Sequence, residues 1–125
     1  MFLRAEQGLQ RLFVMAGEAI DYLRGGVALA QGIKSKIGMT AFRTSSPTGM
    51  SIRVDSRDFL VLAADFAEGF EPEGGDIVRY KGQDYVVVSP AGEPCWEWHG
   101  RHTHSVMRIH AVHDGVAQES SSAGE

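Results

Sequence analysis

The densest group of chemically reactive side chains in this 125-residue sequence lies between Cys95 and His104. These ten residues hold one thiol and three imidazoles, which belong to His99, His102 and His104. Thiolate and imidazole are preferred ligands of zinc, and on a strand His102 and His104 would point to the same face. The segment contains no Cys-x-x-Cys pair, however, and the hydrated face of a barrel strand explains the same residues without a metal. Both interpretations of this segment stay open.

Cys95 is the only cysteine, which excludes an intramolecular disulfide and favours a reducing compartment. Catalysis by a pair of Cys95 with a histidine has no support from the neighbouring residues. The sequence also lacks the Gly-rich phosphate loops, the HExxH motif of zinc proteases and the GxSxG motif of serine hydrolases. We therefore expect no enzymatic activity and no cofactor.

Trp96 and Trp98 stand two positions apart, so they share one face if the segment is a strand. Aromatic rings between basic residues can stack on nucleic-acid bases, but Glu93 and Glu97 make this segment acidic. We expect the two indoles to close one side of a barrel or to lie in an interface.

Seven carboxylates lie between residues 55 and 76 and could supply pairs for acid–base chemistry. Their spacing differs from that of an EF-hand calcium loop. We expect instead a solvated acidic loop that contacts a basic neighbour. The seven residues are Asp55, Asp58, Asp65, Glu68, Glu71, Glu73 and Asp76.

Charge is distributed unevenly along the chain, whose formal net charge is −4. Residues 1–44 carry six basic and three acidic side chains, whereas residues 45–98 carry four and ten. This asymmetry suits head-to-tail packing between copies, although an ordinary solvated surface explains it equally well. No apolar run approaches the ~20 residues of a membrane span, and charged residues interrupt any secretory signal. We expect a cytosolic protein that has no membrane contact and does not bind phosphate over its whole surface.

The elements that position these residues are mostly strands. Alternation of apolar and polar residues with period two predicts strands at residues 20–24, 50–54 and 105–112. Gly25 and Gly26 predict one hairpin turn, and residues 81–84 predict another. Residues 55–66 fit either a buried strand or a short helical turn.

About seven such short strands predict a mainly β domain over residues 20–115, a small antiparallel barrel or sandwich. Residues 1–19 predict an N-terminal helical arm, because apolar residues recur there at steps of three and four. Its apolar stripe must dock on its own barrel or on a neighbouring subunit. Residues 116–125 predict a flexible C-terminal tail that orders only against a partner. The interface candidates are Phe2, Leu9, Leu12, Phe13, Trp96 and Trp98.

Several motifs resemble those of small head–tail joining proteins of long-tailed bacteriophages and prophages. The resemblance covers roughly residues 20–113, and Gly92-Glu93-Pro94-Cys95-Trp96-Glu97-Trp98 is its most distinctive part. The other motifs, in order, are Asp55-Ser56-Arg57-Asp58-Phe59-Leu60-Val61 with Ala63-Ala64-Asp65, Pro72 with Gly75-Asp76-Ile77, Gly82 with Tyr85-Val86-Val87, and Met107-Arg108-Ile109-His110.

The resemblance implies a structural virion protein without enzymatic activity, which forms a ring in the phage neck. Such a ring joins the DNA-filled head, on the portal side, to the tail and helps to retain the DNA. The implied partners are copies of the same chain, portal or adaptor proteins, tail proteins and, transiently, the packaged double-stranded DNA. The implied location is the virion neck, after assembly in the host cytoplasm. The alternatives are a tail-terminator ring of the same virion and a small metal-binding barrel that uses Cys95 and the histidines.

Overall fold

The computed structural model describes residues 17–45, 47–100 and 104–114. Regular structure in these residues consists of seven strands and two 3₁₀ turns, Ala63–Asp65 and Pro90–Gly92. No helix in them has the length and hydropathy needed to cross a bilayer. The strands are β1 (Glu18–Arg24), β2 (Val27–Ser45), β3 (Ser51–Leu62), β4 (Ile77–Tyr80), β5 (Gln83–Val87), β6 (Trp96–Trp98) and β7 (Val106–His113).

Six of the strands close into an antiparallel barrel in the order β1-β2-β3-β7-β5-β4. β7 closes it, because it pairs with β3 along one edge and with β5 along the other. β6 adds to β7 beyond the end of β5, with Trp98 opposite Met107. The predicted antiparallel barrel is therefore confirmed. The ambiguous residues 55–66 are strand up to Leu62 and a 3₁₀ turn after it.

The core fills the interior of the barrel with side chains that alternate along each strand. Met107, Ile109 and Ala111 of β7 are at most 1% exposed, so the predicted apolar face of this strand is correct. Phe59 of β3 packs edge-on against Tyr85, with 5.4 Å between the ring centroids. Alternating apolar positions thus bring β3, β5 and β7 into one core.

The opposite face of β7 is less exposed than its polar residues predict. Alternation along residues 105–112 places His110 on one face with Arg108, which predicts a hydrated position, but His110 is only 3% exposed. Phe42 of β2 packs edge-on against its imidazole at 5.1 Å, and Asp58 of β3 contacts it from the side. The long β2–β3 hairpin therefore covers this part of the barrel wall.

The β2–β3 hairpin projects beyond the barrel. Its register runs from Ser35 opposite Val61 to Ser45 opposite Ser51, whereas β7 pairs with β3 only from Arg57 onward. Among the described residues, no third strand pairs with the outer part of this ribbon, which is about 20 Å long. The sequence pattern predicts several short strands in this region, whereas the structure has one continuous strand, β2, of 19 residues.

The barrel has two unlike ends. The hairpin end contains the start of β1, the β4–β5 turn and the base of the β2–β3 hairpin; there the hydroxyl of Tyr80 donates to Glu18. The groove end contains the β1–β2 turn, residues 63–76 and β6. Gly25 and Gly26 form the β1–β2 turn with φ of 58° and 81°, as their pairing predicts. The first residue of β1 and the last residue of β7 both lie at the hairpin end. β1 runs from Glu18 towards the groove end, and β7 runs in the opposite direction.

The two predicted terminal segments lie almost entirely outside the described residues. Of the predicted arm, only residues 17–19 are described, and they are not helical, because Glu18 and Ala19 already pair with β2. The boundary of the arm at residue 19 is therefore wrong. Residues 1–16, with Phe2, Leu9, Leu12 and Phe13, and the tail 116–125 lie outside the described part.

Candidate functional site

An open apolar groove of about 730 Å³ lies at the groove end of the barrel. Phe66 and Phe70 are stacked in it with 4.2 Å between their centroids, and Tyr22 packs edge-on against both. Trp96 and Trp98 form another wall, in a T-shaped pair at 5.0 Å. Small residues leave the space between these rings open, and Glu68 and Glu71 border it. The groove is an aromatic surface with an acidic rim.

Two consecutive tight turns build this surface. After β3 ends, the amide of Phe66 donates to the carbonyl of Ala63, and the amide of Phe70 donates to that of Ala67. Gly69 stands between them with a φ of 80°, a conformation that residues with a Cβ rarely adopt. These turns place Phe66 and Phe70 on the same side, where their rings can stack.

A buried carboxylate holds the loop after the groove to the barrel. Asp76 is 3% exposed and accepts hydrogen bonds from the hydroxyl of Tyr22, from the guanidinium of Arg24 at 2.8 and 2.9 Å, and from the amide of Glu73. Burial alone would raise the pKa of Asp76, but the bonds from Arg24 and Tyr22 outweigh it and lower the pKa. Arg24 also bonds the carbonyl of Glu71. The guanidinium thus connects β1 to the rim of the groove.

A second buried carboxylate lies at the base of the projecting hairpin. Asp58 is fully buried and accepts from Ser56 at 2.6 Å, from Arg108 at 2.6 Å and from Thr40, and Nδ1 of His110 lies 2.9 Å from it. Burial would raise the pKa of Asp58, but these four partners outweigh it and lower the pKa. The Asp58 cluster therefore ties β2, β3 and β7 together where the hairpin leaves the barrel.

Gly38 lies beside this cluster in the middle of β2. A Cβ at that position would stand 3.4 Å from the guanidinium of Arg108, at the near limit of ordinary van der Waals contact.

The Asp58 cluster contains Ser, His and Asp but is not a catalytic triad. The hydroxyl of Ser56 lies 3.4 Å from Nδ1 of His110, the same nitrogen that faces Asp58. In a triad the imidazole stands between carboxylate and hydroxyl and uses both nitrogens. Here Ser56 instead donates directly to Asp58, which is a structural arrangement.

The surface of the hairpin itself carries exposed methionines and arginines. Met39 near its base is 63% exposed and Met50 at the turn is 69% exposed. Arg53 pairs with Asp55 at 2.7 Å on the exposed side of the ribbon. The hairpin thus offers a mixed surface suited to a protein contact, because methionine adapts its shape to a partner.

The candidate metal ligands do not come together in the described residues. Cys95 points at the carbonyl of Pro72, with its sulfur 3.6 Å away, and burial raises the pKa of its thiol. His104 stacks on Trp98 at 4.8 Å, and His99 is exposed. No group of three or more His, Cys, Asp and Glu side chains in the described part is arranged to hold a metal. His102 lies outside it.

The structure brings some of the interface candidates together and adds others. Trp96 and Trp98 are half-buried and pack against the core from the groove. Phe66 and Phe70 were missed, although their spacing of four residues after a strand is a signal for one shared face. The prediction of a solvated acidic loop is wrong for Asp58 and Asp76, because both side chains are buried.

Residues 5–118 match the family model described as phage head-tail joining protein. The match covers most of the chain and confirms the resemblance of its motifs. No curated protein and no solved structure matches the chain significantly. The family description gives a structural role in the virion, where head and tail meet. The chain, with its closed barrel and its two unlike ends, belongs to the phage head-tail joining protein family.

Proposed function

We propose that the chain is the subunit of a ring in the phage neck. This ring joins the DNA-filled head, on the portal side, to the tail and helps to retain the DNA. The observation that carries the proposal is the contrast between the two ends of the barrel. One end projects a two-stranded hairpin with exposed methionines, and the other opens an apolar groove with an acidic rim. A ring subunit needs one surface for its neighbouring copies and another for the proteins that the ring joins.

Unlike surfaces on one chain also favour a ring over a symmetric dimer. Two copies that meet through different patches form a heterologous contact, which closes into a ring when the rotation between copies allows it. The partners in this arrangement are other copies of the chain, portal or adaptor proteins and tail proteins. The assembly would form in the host cytoplasm before it becomes part of the virion neck.

The projecting hairpin is the element best suited to reach a neighbouring protein. An isolated two-stranded ribbon is only marginally stable in water, so a ribbon about 20 Å long needs an anchor. The Asp58 cluster supplies that anchor, since Arg108 and His110 of β7 bind Asp58 of β3.

Contact with DNA would be transient in this ring. A channel through which DNA must pass should not bind phosphates tightly, and a net charge of −4 is compatible with that requirement. Retention of DNA would then rest on closing the channel.

A phage that encodes a shortened hairpin tests the proposal. Replacing residues 42–54 by Asn-Gly connects Ala41 and Asp55, which face each other in the register, through a two-residue turn. The variant keeps every hydrogen-bonding residue of the Asp58 cluster and loses Phe42, which packs on His110. We expect filled heads and free tails to accumulate separately, or heads to lose their DNA, in electron micrographs of the lysate.

The matched control exchanges Arg43 and Arg53 for lysine, which keeps the length and charge of the ribbon. This control should produce joined particles. Joined, infectious particles from the shortened hairpin, with the variant chain present in them, would contradict the role of the hairpin in joining.

A further inference from the structure

The groove exposes an aromatic surface that is suited to binding a partner. Its walls are the rings of Phe66, Phe70, Trp96 and Trp98, and it opens to solvent. Contiguous apolar surface of this kind marks an interaction site in soluble proteins. Glu68 and Glu71 border the groove and make no ion pair among the described residues. A suitable occupant is therefore an apolar segment that carries basic residues.

Residues 1–16 of the same sequence have this composition. Their apolar side chains recur with helical spacing, and the segment contains Arg4 and Arg11 against a single acidic residue, Glu6. The segment is therefore apolar with a small excess of basic side chains, which suits an aromatic groove with an acidic rim.

The position of Gly17 decides which copy supplies this segment. Gly17 precedes Glu18 at the hairpin end, whereas the groove lies at the other end of β1, about 20 Å away along seven extended residues. Leu9 is eight positions before Gly17, which corresponds to only about 12 Å in a helix. A helical arm therefore cannot bring Leu9, Leu12 and Phe13 to the groove of its own barrel.

We propose that residues 1–16 of one copy dock in the groove of an adjacent copy, with the apolar stripe on the aromatic walls. The proposal rests on the ring proposed above and names the contact that links its subunits. Each copy gives an arm and receives one, so the exchange is heterologous and can continue around a closed ring.

Disulfide crosslinking inside assembled particles tests the exchange. A phage is made whose chain carries Leu12→Cys in the arm and Ala67→Cys in the groove, with Cys95→Ser to remove the native thiol. Particles are grown under reducing conditions, purified, oxidised and run on a non-reducing gel. We expect a ladder of covalently linked copies that collapses to one band on reduction. The matched control pairs Leu12→Cys with Ala41→Cys, an exposed alanine on the hairpin, and should give no ladder.

The same experiment distinguishes a failure of the arm exchange from a failure of the joining function. If joined and infectious particles contain only single copies of the chain, with or without an internal crosslink, the arm exchange is overturned. The joining function would still stand in that case. Joined particles that lack the chain altogether would overturn both proposals.

Discussion

Two buried aspartates anchor the projecting hairpin and the groove of this protein. Asp58 binds Arg108 and His110 at the base of the hairpin, and Asp76 binds Arg24 and Tyr22 beside the groove. Removing one partner of a buried ion pair leaves the other charge uncompensated, which costs more than the pair contributes. Both aspartates should therefore matter for stability as well as for the shape of the surfaces.

Asp58→Asn should destabilise the purified chain by about 3 kcal/mol, because the charge of Arg108 loses its buried counter-ion. Urea unfolding followed by tryptophan fluorescence measures the change. Asp55→Asn is the matched control three positions earlier on the same strand, where the side chain is exposed, and it should leave the free energy of unfolding nearly unchanged. Equal effects of the two substitutions would contradict the anchoring role of Asp58.

Stability should fall as the medium becomes acidic. The pKa values of Asp58 and Asp76 are lowered in the folded chain from the usual 3.8. A lowered folded-state pKa gives stability that is present above the unfolded-state value and is lost as pH falls through the folded-state value. The free energy of unfolding should therefore drop below about pH 4. A double variant with Asp58→Asn and Asp76→Asn should show a shallower drop, and an unchanged slope would speak against both assignments.

The burial of these aspartates could not be predicted from the sequence. Charged residues are mostly exposed, so seven carboxylates within residues 55–76 favour a solvated loop. The partners that change this outcome are far away in the chain: Tyr22 and Asp76 are 54 positions apart, and Asp58 and Arg108 are 50 apart. Only the closure of the barrel brings them together.

At the scale of elements, the loop of residues 63–76 shapes the groove and depends on its backbone conformation. Gly75 has a φ of 93°, and its amide donates to the carbonyl of Val87 next to the Asp76 network. The preceding residue, Gly74, does not have a positive φ of this kind. A Cβ added to Gly74 would make one ordinary contact, at 4.0 Å, and would otherwise stand in open space.

These adjacent glycines give a matched pair of substitutions. Gly75→Ala should destabilise the chain by about 1–2 kcal/mol, the cost of a positive φ for a residue with a Cβ. Gly74→Ala should be neutral or slightly stabilising, because it restricts the unfolded chain without strain in the folded one. Thermal unfolding of both variants measures the difference; a larger loss for Gly74→Ala would contradict this account of the loop.

The elements with regular alternation were predicted well, and those defined by distant pairing were not. β7 and the turn at Gly25 and Gly26 follow directly from local patterns. The continuous β2 does not, because Gly32 and Gly38 interrupt the alternation and suggest separate short strands. Its length follows from pairing with β1 over its first half and with β3 over its second half, which local sequence does not encode. The groove could not be predicted either, because it forms only where β6 approaches residues 63–70 in space.

At the scale of the whole molecule, the barrel acts as a spacer between two unlike surfaces. The hairpin leaves one end, the groove opens at the other, and six strands with a shared core hold them apart. In the arm exchange proposed here, the groove receives residues 1–16 of a neighbouring copy, which leaves the hairpin to contact a head or tail protein.

Deleting residues 1–16 should therefore preserve the barrel and prevent joining. The deletion removes no residue of β1, so far-UV circular dichroism of the purified variant should remain typical of a β protein. In the phage, filled heads and free tails should accumulate, because the groove of each copy lacks its occupant. Infectious particles with the shortened chain in place would contradict the need for the arm.

The central claim is that this chain joins heads to tails, and loss of the whole gene product tests it most directly. Electron microscopy of lysates from a phage with an early stop codon in this gene should show free tails beside separate heads, either filled or emptied of DNA. Expression of the intact chain from a plasmid should restore joined particles. Joined, infectious particles formed without the chain would contradict the claim.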